Sequence, residues 1–188
     1  NETTSDVNWK LNMEANLEGL HIKTTHPESF FPYGFDNLTI LESFGNNSRV
    51  TFPFRRIEKL RGTPVEARNV AGQLTYVYHL FPNVAIAVLS NHMSVTISEP
   101  LTTTSTRFIT YRMTNSGEET NEANLTRAKR DAGFLADTGS QEDAAAVRAI
   151  QEGLTSGANK HFTFGHYEKS IVHFHQTLTR TLERLPTD

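Results

Sequence analysis

The chain has 188 residues, of which 37% are hydrophobic, and its formal net charge is -3 at pH 7. This size suits one domain with a buried core, and the small charge gives no general attraction to nucleic acid or anionic membranes. The absence of cysteine excludes disulfides, thiolate zinc sites and cysteine-bound iron–sulfur clusters within residues 1–188. No apolar run approaches the ~20 residues that span a bilayer, and no secretory signal is visible. We therefore expect a cytoplasmic protein without nucleic-acid or membrane partners.

The first half of the chain is predicted to pass from a helix into a series of strands. Residues 7–20 have the pattern of a helix, and Pro27 prevents that helix from continuing. Further on, β-branched and aromatic residues alternate with turn signals, which is typical of antiparallel strands. The predicted strands span residues 37–44, 49–54, 73–80, 84–90, 92–98 and 102–113.

The last third of the chain is predicted to be helical. The helices span residues 118–137, 141–154 and 165–185, and the last of them is the longest. Its apolar residues recur at helical spacing and are predicted to face inward: Ile171, Phe174, Leu178, Leu182 and Leu185. An antiparallel sheet followed by a long helix predicts an α+β fold, with one domain over residues 1–188.

Two histidines five residues apart, His21 and His26, are candidate metal ligands. Residues separated by five positions are rotated by about 140° on a regular helix, so one straight helix cannot direct both imidazoles at one ion. The residues between and after them, Thr24, Thr25 and Pro27, favour a break in the helix. The spacing alone is equally typical of two exposed histidines near a helix end.

The residues around this pair resemble a motif at the start of the catalytic domain in the α subunits of Rieske non-haem iron ring-hydroxylating oxygenases. The family pattern is Asn-Trp-Lys, three residues, Glu-Asn, two residues, Asp or Glu, one residue, Tyr-His, four residues, His-Pro. Two positions depart from it, since Ala15 replaces the usual Asn and Leu20 the usual Tyr. The matching residues, in order and spacing, are Asn8, Trp9, Lys10, Glu14, Glu18, His21, His26 and Pro27.

The resemblance extends to the later part of the chain. The family's third iron ligand is a carboxylate at the start of a helix, eight residues before a Gln, and Asp143 lies eight residues before Gln151. Taken alone, Asp143 is an ordinary acidic residue at a helix N-terminus. Glu142 is the competing carboxylate. The segments 151–156 and 164–168 resemble the family's Gln-x-Gly-Leu-x-Ser and Phe-Gly-x-x-Glu patterns.

The resemblance implies a helix-grip fold of the START/Bet v 1-like type, in which a curved antiparallel sheet grips a long C-terminal helix. It also implies a mononuclear Fe(II) site formed by His21, His26 and Asp143, with positions left for water and O2. Glu18 occupies the position of the carboxylate that bridges an iron-binding His to a Rieske-cluster His of the neighbouring subunit. The alternative for Glu18 is an exposed side chain paired with Lys10 or Lys23.

The electron supply implied by the family lies outside this chain. A Rieske [2Fe-2S] cluster needs two Cys and two His, and residues 1–188 contain no Cys, so the N-terminal Rieske domain is absent here. The resemblance implies electrons from NAD(P)H through a reductase and a ferredoxin. It also implies a homotrimer in the full-length protein, with or without a separate β subunit.

The predicted function is hydroxylation or oxidative demethylation of an aromatic or related apolar substrate with O2. Residues that could line its pocket, by their position near the ligand segments, are Phe30, Phe31, Tyr33, Phe35, Phe162 and Phe164, although aromatics in such a fold are usually core. The alternative function is a helix-grip domain that binds a small molecule without catalysis. A zinc hydrolase using Glu14 or Glu18 as a base is a third alternative, without the His-Glu-x-x-His motif to support it.

Overall fold

A seven-stranded antiparallel sheet is the frame of the structure, a computed structural model that describes residues 1–115 and 121–186. Each strand lies beside its neighbour in sequence, except that the first strand pairs with the last and gives the order β1-β7-β6-β5-β4-β3-β2. The strands of the described chain are β1 (Glu2–Ser5), β2 (Ile40–Phe44), β3 (Asn47–Pro53), β4 (Leu74–Leu80), β5 (Val84–Val88), β6 (His92–Thr102) and β7 (Ser105–Thr114).

Two of the strands differ from the sequence-based expectation. β1 was not predicted, because its four polar residues show no apolar alternation; only its pairing with β7 identifies it as an edge strand. β6 continues through Pro100, where a turn was predicted. Pairing with β5 ends at Ile97, so the side of Pro100 that lacks an N–H faces no strand there and the proline is tolerated.

The helices of the described residues follow the sheet in two groups. Near the start are α1 (Trp9–Ala15) and the single turn α2 (Ile22–Thr25); later come α3 (Glu122–Thr138), α4 (Ala144–Thr155) and α5 (Lys169–Leu182). A π-helical turn, Gly139–Asp143, joins α3 directly to α4. None of these helices is long and apolar enough to span a membrane. The predicted combination of an antiparallel sheet with helices is confirmed.

Several helix boundaries differ from the prediction. The first helix ends at Ala15 instead of residue 20, and Asn8 caps its start by accepting a hydrogen bond from the Lys10 N–H at 3.0 Å. The longest helix is α3, with 17 residues, whereas α5 has 14. The predicted beginning of α3 at residues 118–120 lies outside the described residues.

The core lies where α1 and α5 pack against one face of the sheet. Phe174 of α5 is fully buried and makes edge-to-face contacts with Trp9, at 5.8 Å between ring centroids, and with His79, at 5.1 Å. The sheet face that contacts these helices carries Val50 and Ala85, which belong to the same apolar cluster as Phe174. The prediction of a fully inward stripe is wrong beyond Leu178: Leu182, the last residue of α5, is exposed, and Leu185 is exposed beyond the end of the helix.

The Phe174→Ala substitution is expected to lower the free energy of unfolding by about 3–5 kcal/mol, because it empties a fully enclosed site. Chemical denaturation would measure the loss. Leu182→Ala, on the same helix but 63% exposed, is the matched control and should change stability by less than about 1 kcal/mol. Equal losses for the two variants would contradict the packing described here.

His92 is expected to make stability depend on pH. It is buried and neither ring nitrogen has a hydrogen-bond partner among the described residues. Burial lowers the pKa of His92; Asp131 opposes the shift and Arg112 adds to it. Below about pH 6.5, His92 therefore binds a proton in the unfolded chain but stays neutral in the folded chain. The free energy of unfolding is expected to fall by up to ~1.4 kcal/mol for each pH unit below this value.

In His92→Leu the decline in stability between pH 7.5 and pH 5.5 should be shallower than in the parent protein, as measured by denaturation at both pH values. His161→Leu, at an exposed histidine, should keep the parent's pH dependence. An unchanged slope in His92→Leu would show that burial of His92 does not control this dependence.

Candidate metal centre

The turn after α1 brings Glu18 and His21 together. A carboxylate oxygen of Glu18, Oε2, accepts the backbone N–H of His21 at 3.2 Å and also that of Leu20, while its Oε1 contacts Nδ1 of the His21 ring. Gly19 allows the chain to pass close to the sheet, since a Cβ atom there would lie 3.2 Å from the ring of Phe52. Glu18 is therefore fixed beside His21, and it pairs with neither Lys10 nor Lys23.

His21 and His26 lie at the two ends of α2. The predicted interruption between them is wrong: the intervening residues form one helical turn, and the chain leaves helical geometry at His26 itself, with φ -119° and ψ 44°. Pro27 explains this position, because it disfavours a helical conformation for the residue before it. A single turn lets the two side chains extend from its ends toward the same side, and their ring centroids are 5.2 Å apart.

Asp143 approaches both histidines from the other part of the chain. Its Oδ1 lies 2.8 Å from Nε2 of His26 and 3.8 Å from Nε2 of His21. One ligand atom from each of the three side chains lies within 4.8 Å of the other two. Asp143 is the last residue of the π-helical turn. It lies more than 110 positions after His21 and His26 in the sequence, and the fold brings the three side chains together.

The outward nitrogens of the two imidazoles are also paired with carboxylates. Nδ1 of His21 contacts Glu18, and Nδ1 of His26 lies 2.6 Å from Oε2 of Glu142. The hydroxyl of Ser29 donates to the same Glu142 oxygen at 2.6 Å. Sequence reasoning considered Glu142 only as a rival of Asp143 and missed Ser29; the adjacency of the two acidic residues was the available signal.

The surroundings of His26 favour positive charge. Burial by itself would lower the pKa of His26, but hydrogen bonds and charges from Asp143 and Glu142 outweigh it and raise that pKa. The Ser29 hydroxyl and then His26 lower the pKa of Glu142. The two carboxylates thus favour a positive charge on or beside the His26 ring.

The donor set fits a divalent transition metal. Two donors bound ~2.1 Å from one ion lie between ~3 Å apart, at right angles, and ~4 Å apart, at wide angles, and the separations of Asp143 Oδ1 from the two Nε2 atoms, 2.8 and 3.8 Å, are of this size. Two imidazole nitrogens and one carboxylate oxygen on one side of an ion suit Fe(II) and leave its other side free.

The aromatic residues predicted to line the pocket lie in different parts of the structure. Phe30 contacts the candidate centre directly, since its ring stands edge-on to His26 at 5.2 Å and to Phe134 of α3 at 5.3 Å. Phe31 and Phe35 both contact the Arg55 guanidinium, with ring centroids 4.7 and 5.0 Å from its Cζ. Tyr33 is largely exposed.

Phe162 and Phe164 line a separate groove of about 220 Å³. Their rings stack at 6.5 Å, and Phe164 stacks on His175 at 5.9 Å. Nε2 of His175 lies 2.9 Å from Oε1 of Glu14, and both residues line this groove. The described residues that line it include none of the three candidate ligands: Asn8, Lys10, Leu11, Glu14, Ile150, Gln151, Leu154, Phe162, Phe164 and His175.

Gln151, the residue eight positions after Asp143, has a structural contact. Its side-chain Oε1 accepts the backbone N–H of Asn8 at 2.9 Å, which fastens α4 to the start of α1. The contact helps to hold the two segments that carry the candidate ligands against each other.

Comparison with solved structures identifies the same fold in oxygenases. CntA, described as a quaternary ammonium Rieske monooxygenase in complex with substrate L-carnitine, superposes with a TM-score of 0.65 at 18% identity, covering 96% of this chain and 47% of that chain. Naphthalene 1,2-dioxygenase from Rhodococcus sp. bound to indole gives a TM-score of 0.69 at 13% identity, covering 99% and 56%. Dicamba monooxygenase bound to dicamba gives 0.61 at 11%, covering 98% and 59%.

These identities establish the fold alone, and the chain spans about half the length of the structures it matches. No curated protein sequence matches it significantly. The family model that describes the catalytic domain of the ring-hydroxylating α subunit, however, matches residues 2–184. With nearly the whole chain matched, this protein belongs to the family of ring-hydroxylating α subunits, and residues 2–184 correspond to their catalytic domain.

Proposed function

We propose that this chain is the oxygen-activating part of a Rieske-type oxygenase, with one Fe(II) bound by His21, His26 and Asp143. The observation that carries the proposal is the convergence of one ligand atom from each of the three side chains within 4.8 Å of the others, with Asp143 Oδ1 facing Nε2 of both histidines. Asp143 is preferred over Glu142 as the third ligand because Glu142 faces Nδ1 of His26, on the side of the ring away from the convergence.

When bound, the iron supplies a site where O2 and electrons meet. The protein's part is to hold three ligands on one side and an organic substrate on the other, unligated but close. Phe30, which lies against His26 and Phe134, supplies an apolar surface at this point. The proposal assigns substrate contact to Phe30, with Phe31 beside it, and leaves Phe162 and Phe164 to the separate groove.

The substrate is proposed to be an aromatic or related apolar compound that is hydroxylated or oxidatively demethylated. Family membership supports oxygenase chemistry, and the contact of Phe30 with His26 supports an apolar substrate surface. Helix-grip is the proposed name for the fold, because α5 packs its buried face on the sheet.

Electrons are proposed to come from a Rieske [2Fe-2S] cluster outside residues 1–188, supplied in turn by NAD(P)H through a reductase and a ferredoxin. Glu18 is the proposed bridge, because one of its oxygens contacts Nδ1 of His21. A solved structure of CntA is described as giving insight into inter-subunit electron transfer in that protein. The same arrangement is proposed here, with a trimer of the longer protein as the assembly.

Anaerobic reconstitution with Fe(II) is expected to give one iron per chain. His26→Ala and Asp143→Ala each remove one of the three protein donors. Each should weaken Fe(II) binding by at least ~100-fold, because a water molecule must take the coordination position of the lost side chain. Glu152→Ala, at an exposed acid on α4, is the control and should bind iron as the parent does. Metal analysis after gel filtration would measure the stoichiometry.

Failure of the parent protein to retain iron would overturn this proposal. It would favour the alternative, a binding domain without catalysis, in which His26→Ala leaves the affinity for an organic ligand unchanged.

Glu18→Gln is expected to leave iron bound but to slow electron arrival by about 10–100-fold, because the amide carries no charge and accepts fewer hydrogen bonds. Turnover of the longer protein with its complete electron-transfer chain would measure the rate, and iron content would be measured on the same sample. An unchanged rate would show that Glu18 orients His21 and has no bridging role.

A further inference from the structure

We propose that Glu142 and Ser29 form a positioning pair that holds His26 with Nδ1 outward and Nε2 toward the metal. This inference rests on the proposed function, because it concerns how one of the proposed ligands is presented. It assigns to Glu142 a role other than that of ligand, and to Ser29 a role that acts through Glu142.

The His26 imidazole lies between two carboxylates. The imidazole is 2% exposed, and both its nitrogens face carboxylates from consecutive residues. Nδ1 lies 2.6 Å from Glu142 Oε2, and Nε2 lies 2.8 Å from Asp143 Oδ1. An ionised carboxylate only accepts hydrogen bonds, so the Glu142 contact requires a proton on Nδ1. With that proton on Nδ1, the Nε2 atom of His26 would present its lone pair to a bound metal.

A π-helical turn of the backbone positions these two carboxylates. The N–H of Ala144 bonds to the carbonyl of Gly139, five residues earlier, as in a π-helical turn. Such a turn contains one residue more than an α-helical turn, and such bulges occur frequently at functional sites. Here it places two successive side chains, Glu142 and Asp143, on opposite edges of one ring.

Ser29 holds the Glu142 carboxylate in its position beside His26. Its hydroxyl donates to Oε2 of Glu142 at 2.6 Å, the same oxygen that faces His26 Nδ1. This bond keeps the carboxylate from rotating away from the ring, because Glu142 is otherwise partly exposed. In the part of the chain that the structure describes, the Ser29 hydroxyl hydrogen-bonds to Glu142 and to none of the three candidate ligands, so we expect its effect to pass through Glu142.

The other histidine, His21, also has a carboxylate beside its Nδ1 atom. Glu18 contacts Nδ1 of His21, so both imidazoles turn Nε2 toward Asp143 through a carboxylate on the outer nitrogen. Outer partners of this kind fix the tautomer and orientation of metal-binding histidines. The two partners differ in origin, since Glu18 is local to His21 whereas Glu142 is 116 residues from His26.

Affinity for Fe(II), measured anaerobically by competition with a chelator, would test the pair. Glu142→Ala is expected to weaken binding by about 10–100-fold. Glu142→Gln should recover part of the loss, because its amide oxygen can still accept from Nδ1. Ser29→Ala should cost severalfold, and the Ser29→Ala/Glu142→Ala double variant should be no weaker than Glu142→Ala alone. Glu152→Ala is the control with unchanged affinity.

The second readout is the state of the His26 ring, namely which nitrogen binds the metal and how fast the proton on the other exchanges. In the Zn(II)-loaded protein, long-range ¹H–¹⁵N NMR should show His26 metallated at Nε2 with a slowly exchanging Nδ1 proton. In Glu142→Ala that proton should exchange quickly or the metallated nitrogen should change. Glu142→Gln gives the same readout in a variant of nearly the same shape, should the alanine variant not fold.

The outcomes separate the two proposals. Parent-like affinity and Nδ1 exchange in Glu142→Ala and Glu142→Gln, with iron bound in the parent, would overturn the positioning role alone. A parent protein that binds no iron would overturn the proposed function and this inference together. Additive losses for Ser29→Ala and Glu142→Ala would overturn the claim that Ser29 acts through Glu142.

Discussion

The hydrogen bonds on the two sides of the His26 imidazole are the interaction on which the candidate centre depends. They join the segment after α1 to the turn between α3 and α4, which are far apart in sequence. A buried imidazole between two carboxylates is stable only if positive charge stays on or beside the ring. Asp143 and Glu142 raise the pKa of His26 against the effect of burial, and a bound divalent cation would satisfy the same requirement for positive charge.

The rest of the fold serves to bring those two segments together. The sheet provides a face for α1 and α5, and Phe174 packs between Trp9 and His79 at its centre. Gln151 then binds the start of α1 and holds α4 in place, which fixes the direction of the π-helical turn. Because the segments that carry the candidate ligands are anchored on packed elements, their side chains are held close to one another.

Sequence reasoning predicted the antiparallel sheet and the residues that meet at the centre, because both are encoded in short patterns. Alternation of β-branched residues indicates strands locally, and the spacing of Glu18, His21 and His26 carries the family resemblance. The strand β1, by contrast, has no pattern of its own and exists through pairing with β7. The π-helical turn and the contacts of Glu142 and Ser29 are likewise tertiary, so neighbouring letters do not reveal them.

One direct measurement tests the claim that His21, His26 and Asp143 bind one iron. Crystals of the protein reconstituted with Fe(II) would be measured with X-rays at the iron absorption edge. The account predicts a single anomalous peak per chain, ~2.1 Å from Nε2 of His21, Nε2 of His26 and a carboxylate oxygen of Asp143. A peak coordinated by Glu142 in place of Asp143, a peak elsewhere in the protein, or no peak at all would contradict it.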